Sequence, residues 1–273
     1  MSAAAPSRPR PATRRRGSGV DWLPPLVVFI AVIVTWEVSF TILQVPVFLI
    51  PRPSVIWASL QAEFPTLWKG VLYTASEALG GLALGVGLGT LAGLAASRWA
   101  TARETLVPLG TAMSAVPIIA LAPIMIDWFG FESQMPRIAI VGLMTFFPVL
   151  VNTVRGLTSV DVPSLELMRS YAATERQVLW RLRIPSAMPY WFTALRIAVT
   201  LAVIGAVVGE FFGGPRYSIG IYVTDSAGNF RFENAWAAIV MACALGIVLY
   251  LIAVAIERFA MPWQRKREAS AAE

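Results

Sequence analysis

The chain has 273 residues, 57% of them hydrophobic and only 14% charged, with a net charge of +6, a pI near 10.0 and a mean hydropathy of +0.66. That balance is too apolar for an ordinary soluble domain, and no polar segment is long enough to build one, so the chain reads as a single integral membrane domain. The absence of histidine removes His-based metal sites and Ser-His-Asp triads, the lone Cys243 removes a disulfide framework, and neither Lys69 nor Lys266 follows a glycine, so no GxxxxGK[ST] phosphate loop exists.

Residues 1–19 are rich in Pro, Ser, Ala and Arg (Arg8, Arg10, Arg14, Arg15, Arg16). Such a composition buries no core and predicts a disordered, basic cytoplasmic tail. A six-helix transmembrane domain is expected over 20–262, followed by a second cytoplasmic tail over 263–273. On the rule that a span needs roughly 20 apolar residues, six candidates emerge: 23–43, 70–96, 105–127, 136–155, 188–212 and 235–257. The first is too long for a signal-peptide core and no A-x-A-like cleavage site follows it, so it reads as a retained helix. Six spans put both termini on one side, together with Arg98, Arg103, Arg155, Arg169, Arg176, Arg181, Arg183, Arg258, Arg265, Lys266 and Arg267. The opposite loops hold only Arg52, Lys69, Arg137, Arg216 and Arg231, so the positive-inside rule places both termini in the cytoplasm. Scattered basic residues of this kind set topology and do not form a nucleic-acid stripe.

Between the first two spans, PRPSVIWASLQAEFPTLW reads as one short helix lying in the outer interface. The second span carries Gly81, Gly85, Gly89 and Gly93, a small-residue stripe that clears one face for close approach of another helix. Pro108, Pro117 and Pro123 interrupt the third span and Pro148 the fourth, which predicts kinked or unwound backbone where a cavity is lined. Pro117, Pro123, Asn152 and Glu210 are the candidate residues of a translocation path. Glu37, Glu77 and Glu210 lie inside predicted spans, where an ionisable group is costly. A structural reading is preferred for each: Glu77, on the glycine face, bonds a neighbouring helix, while Glu37 and Glu210 reach interfacial water. Arg196 reads either as a side chain that snorkels to the inner interface or as one that faces the pore.

Residues 159–185 form a polar loop far longer than a connector needs. Asp161 and Pro163 signal one helix start, Thr174 with Gln177 a capping box for a second, and Pro185 with Pro189 predict that this second helix does not run on smoothly. The expected shape is two helices joined by an elbow at Ala172–Thr174.

That loop resembles the EAA loop of binding-protein-dependent ABC importer permeases, written E-A-A, three residues, G, nine residues, I-x-L-P. Glu166 holds the glutamate place, Leu167 and Met168 replace the alanines, Ala172 replaces the glycine, and Leu182, Arg183, Ile184 and Pro185 fill the last motif. IPRPSVIW, SEALGGLALGVGLG, SAVPIIALAPIMIDWFGF, FFPVLVNTVRGLTSVD and MPYWFTALRIAV resemble the nitrate, sulfonate and taurine branch, which also includes riboflavin and thiamine-pyrimidine importers. The resemblance implies an all-α, type I importer-like permease in the inner membrane that pairs as a homodimer. It further implies two ATPase subunits that hold ATP-Mg, no cofactor in this chain, and an extracytoplasmic solute-binding protein. It assigns coupling to Glu166, Arg169, Tyr171, Ala172, Ala173, Thr174, Leu182 and Pro185. The alternative class is an ion-coupled secondary transporter using Glu37, Glu77 or Glu210; the lack of an internal repeat and the large loop argue against it.

Overall fold

A computed structural model describes residues 23–262. The expected tails at 1–19 and 263–273 lie outside the described residues. Eleven α-helices follow in order: α1 (Leu23–Ile42), α2 (Pro53–Ala62), α3 (Phe64–Ala96), α4 (Ala100–Met113), α5 (Ala122–Phe129), α6 (Met135–Thr158), α7 (Val162–Ser170), α8 (Glu175–Val178), α9 (Ile184–Glu210), α10 (Ile219–Gly228) and α11 (Phe232–Ala260). No strand occurs among the described residues. Five helices are long and apolar enough to cross a membrane, and α4 with the segment 118–129 makes a sixth span bent by 77°.

The bend has a local cause. Pro117 (φ −73°, ψ 76°) ends the first half, and the Ile118 amide donates to the Val116 carbonyl across it at 2.8 Å, an inverse γ-turn. A 3-10 turn (Ile118–Leu121) leads into α5, where Pro123 occupies the first turn and needs no amide partner. Pro117 and Pro123 are both exposed on the protomer surface.

The centre is the packing of α3, α6 and α9. Gly81, Gly85, Gly89 and Gly93 are all buried against α6: a Cβ at Gly85 would run into Thr145 Oγ1, and one at Gly89 would lie 2.7 Å from the Phe146 carbonyl oxygen. Removing those Cβ atoms brings two backbones together over about three turns, which maximises dispersion contact where lipid offers no hydrophobic drive between helices. A second apolar centre joins Leu60 of α2, Leu67 and Val71 of α3, Val203 of α9, Ile219 of α10 and Met241 of α11. No residue of α1 is buried; the helix touches the rest through Trp36, packed edge-on to Trp236 at 5.5 Å, and through Glu37. Glu37 accepts from the Ser54 amide at 3.0 Å and its hydroxyl at 2.8 Å, capping the first turn of α2.

Two expectations are corrected. The interfacial helix does not run from 51 to 68: it ends at Ala62, and Phe64 to Trp68 open α3, because Pro65 at the first turn starts a helix readily but cannot sit inside one. Nor do Pro185 and Pro189 stop the helix beginning at Glu175. A π-helical segment (Leu179–Arg183) carries α8 into α9, with the Ile184 amide bonded to the Leu179 carbonyl. That wider turn shifts the carbonyl ladder just before Pro185, which supplies no donor, and helix continues to Glu210.

Candidate functional site

Two polar constructions stand out, one at each end of the helix pair α6 and α9. The first is the elbow. Asp161 caps α7 by accepting from the Ser164 amide at 3.3 Å, and hydrogen bonding from Ser164 holds its carboxyl below the ordinary value. At the other end of α7, the Ala172 amide donates to Arg169 O at 2.9 Å and the Ala173 amide to Met168 O at 3.0 Å. This paired bonding is a Schellman motif, and it requires a left-handed residue at Ala172, whose φ is +49°. The third-last and second-last carbonyls of α7 are thereby satisfied.

Two residues later, Thr174 accepts from the Gln177 amide at 3.3 Å while Gln177 Oε1 accepts from the Thr174 amide at 2.8 Å. The capping box makes α8 start abruptly, so the chain reverses over Tyr171, Ala172 and Ala173 with its turn groups satisfied locally. Glu166, Arg169, Tyr171, Ala172, Thr174 and Pro185 are exposed, and Ala173 and Leu182 half-buried. Tyr171, 77% exposed, forms the protruding tip. A stiff, locally bonded elbow with no core of its own can transmit a push without folding away.

The second construction is a buried charge network. Glu77 of α3, Arg137 of α6 and Glu210 of α9 are all fully buried. Arg137 Nε donates to Glu77 Oε1 at 2.6 Å, Nη1 to the Gly213 carbonyl at 3.0 Å, and Nη2 to Ser133 O at 2.7 Å and the Tyr73 hydroxyl at 3.2 Å. Glu210 accepts from the Thr74 hydroxyl at 2.7 Å and the Gly220 amide at 2.6 Å, while Thr74 accepts from the Ile219 amide at 3.3 Å. The network ties three spanning helices to the start of α10. Because α8, the π segment and α9 are continuous over Glu175–Glu210, the elbow and this network occupy opposite ends of one rod roughly 54 Å long at 1.5 Å per residue.

The chain matches the model of the family described as binding-protein-dependent transport system inner membrane component over residues 85–265. It is 34% identical to the formylaminopyrimidine transport permease protein of Halalkalibacterium halodurans, with 90% of this chain and 97% of the relative covered. The chain belongs to this permease family. It is also 31% identical to the riboflavin transport system permease protein of Chloroflexus aurantiacus, covering 87% and 89% of the two chains. With the taurine transport system permease protein of Escherichia coli the identity is 29%, over 86% and 87%. Among solved structures, the inward-facing MetNI methionine ABC transporter superposes with a TM-score of 0.57 at 17% identity, covering 72% of this chain and 97% of that one. The permease fold is therefore that of an ABC importer subunit, held in the inner membrane by several spans.

Within this permease the structure separates the candidate path residues. Pro117 and Pro123 sit at the exposed bend of the broken span, and Asn152 is half-buried with its amide bonded to Pro148 O at 2.8 Å. Glu210 does not join them; it is sealed in the buried network. Arg196 pairs with Glu257 of α11 at 3.3 Å. Arg137 is the residue that sequence reasoning misplaced, as a topology charge in an outer loop. A signal was present: a cation in the first turn of a helix opposes the macrodipole, and intramembrane carboxyls at Glu77 and Glu210 require a counter-charge.

Proposed function

We propose that two copies of this permease form the translocation path of an ATP-driven importer, with both termini in the cytoplasm. The observation that supports the coupling role best is the elbow: a Schellman turn and a capping box hold Tyr171, Ala172 and Ala173 at the tip of a loop that continues rigidly into a spanning helix. Each elbow seats in a groove of a partner ATPase, which holds ATP-Mg. Closure of the ATPase pair pushes the elbow, and the α8–α9 rod carries the displacement through the membrane to its far end. An extracytoplasmic binding protein delivers the solute there. The bent span α4–α5, with Pro117 and Pro123 exposed, faces the partner copy and lines the path.

The cargo is a small organic or anionic solute of the nitrate, sulfonate and taurine class, or riboflavin or a pyrimidine precursor of thiamine. The similarity to the formylaminopyrimidine and riboflavin permeases puts the heterocycles first. Uptake into vesicles carrying the permease, its ATPase and the binding protein should need ATP and continue after ionophores collapse the ion gradients. Loss of uptake with the gradient, at full ATP, would favour an ion-coupled transporter instead. Glu77 and Glu210 give that alternative little support, because both are enclosed and engaged within the protomer.

A further inference from the structure

We propose that the cleft between the end of α3 and the start of the α8–α9 rod binds the phosphate headgroup of an anionic phospholipid. The cleft is a cavity of about 800 Å³ lined by Leu94, Ser97, Arg98, Arg176, Trp180 and Arg183. Its charge is unbalanced. The ion pairs among the described residues join Arg137 to Glu77, Arg196 to Glu257 and Arg231 to Asp225, and none involves Arg98, Arg176 or Arg183. Glu175 is the one carboxylate in the lining, so three guanidinium groups leave an excess of two positive charges. Guanidinium groups match phosphate oxygens in geometry as well as in charge.

Depth and shape select a lipid over a free anion. Both walls change from apolar to basic at the level of the cavity: α3 is apolar up to Ala96 and passes into Ser97 and Arg98, while Arg176, Arg181 and Arg183 precede the apolar run of α9. Trp99 and Trp180 are 62% and 61% exposed beside it, the position of amphipathic rings at a headgroup layer. The half-buried Leu94, Leu179 and Ile184 give the cavity apolar lining at the membrane ends of two spanning helices. Acyl chains follow that wall while the phosphate meets the arginines. Basic pockets between spanning helices at a headgroup level favour anionic lipid headgroups.

The test uses the full chain in nanodiscs of mixed phosphatidylglycerol and phosphatidylcholine, with lipids retained on release read by native mass spectrometry. Two excess charges predict a preference of about 30-fold for phosphatidylglycerol in the wild type, falling about fivefold for each arginine removed in Arg98→Gln and Arg98→Gln/Arg183→Gln. Arg258→Gln, an exposed arginine of α11 outside the cleft, should leave the preference unchanged. Arg98→Lys should keep most of it and shows that charge, not misfolding, is read. Should the double variant fail to assemble, Arg98→Gln alone reads the same quantity. Equal retention of both lipids by the wild type, or an unchanged preference in Arg98→Gln, overturns the proposal. Displacement of phosphatidylglycerol by millimolar inorganic phosphate would make this a free-anion site. Loss of ATPase co-purification in Arg98→Gln with lipid retention intact would make it a protein contact; either result also overturns it.

Discussion

Arg137→Met removes the guanidinium that pairs with the fully buried carboxyl of Glu77. It also strips partners from Glu77 Oε1, from the Gly213 carbonyl and from the Tyr73 hydroxyl. Breaking a buried ion pair by deleting one member destabilises by about 3–5 kcal/mol, since the remaining charge stays desolvated without compensation. For a chain of this size that corresponds to a fall of roughly 10 °C in apparent melting temperature. The assay is thermal unfolding in detergent, followed by fluorescence-detected size exclusion, on Arg137→Met, Glu77→Met and the double variant. Replacing both members by apolar side chains of similar volume is often close to neutral, so the double variant should recover at least half of the loss. Glu210 keeps its bonds to Thr74 and Gly220 throughout. A drop of less than about 2 °C for Arg137→Met would show that the guanidinium is not desolvated against Glu77. Strictly additive losses in the double variant would show that the two side chains are not coupled.

Other perturbations follow from named contacts. Ala172→Gly should stabilise the elbow by about 0.5–1 kcal/mol, because a left-handed L-residue costs about 1–2 kcal/mol and glycine's extra chain entropy offsets part of the gain; reduced hydrogen exchange at residues 168–174 would show it. Ala172→Glu should abolish co-purification of the ATPase and uptake together, and normal values of both would remove the elbow from the coupling surface. Gly85→Ala pushes a Cβ into Thr145 Oγ1 and the Gly142 carbonyl, and should lower stability by about 1–3 kcal/mol of overpacking while leaving substrate preference unchanged in whatever assembles. Thr174→Ala should loosen α8 by about 1 kcal/mol through loss of the capping box. The Asp161 cap is strongest while its depressed carboxyl is ionised, so its contribution is lost only as pH falls below the ordinary aspartate range; the pH dependence of exchange at Ser164 reads it.

Membrane residence, the number of spans and the elbow were legible in the sequence because each depends on local chemistry. Apolar runs of span length, the Asp161 and Thr174–Gln177 caps, and a glycine every fourth residue along α3 are patterns written among residues close together in the chain. Even so, the joint at Leu179–Arg183 escaped: prolines read as stops were carried by a π turn, a rearrangement whose stability depends on how α9 packs afterwards. The partners of Arg137 lie on three separate segments, at Glu77, Ser133 and Gly213, and no periodicity relates them. Bringing those groups together required the packing of α3, α6 and α9. Once packing had excluded water, each buried charge had to find its partner inside the protein, so tertiary structure determined which ionisable residues lie within the bundle and which meet the lipid.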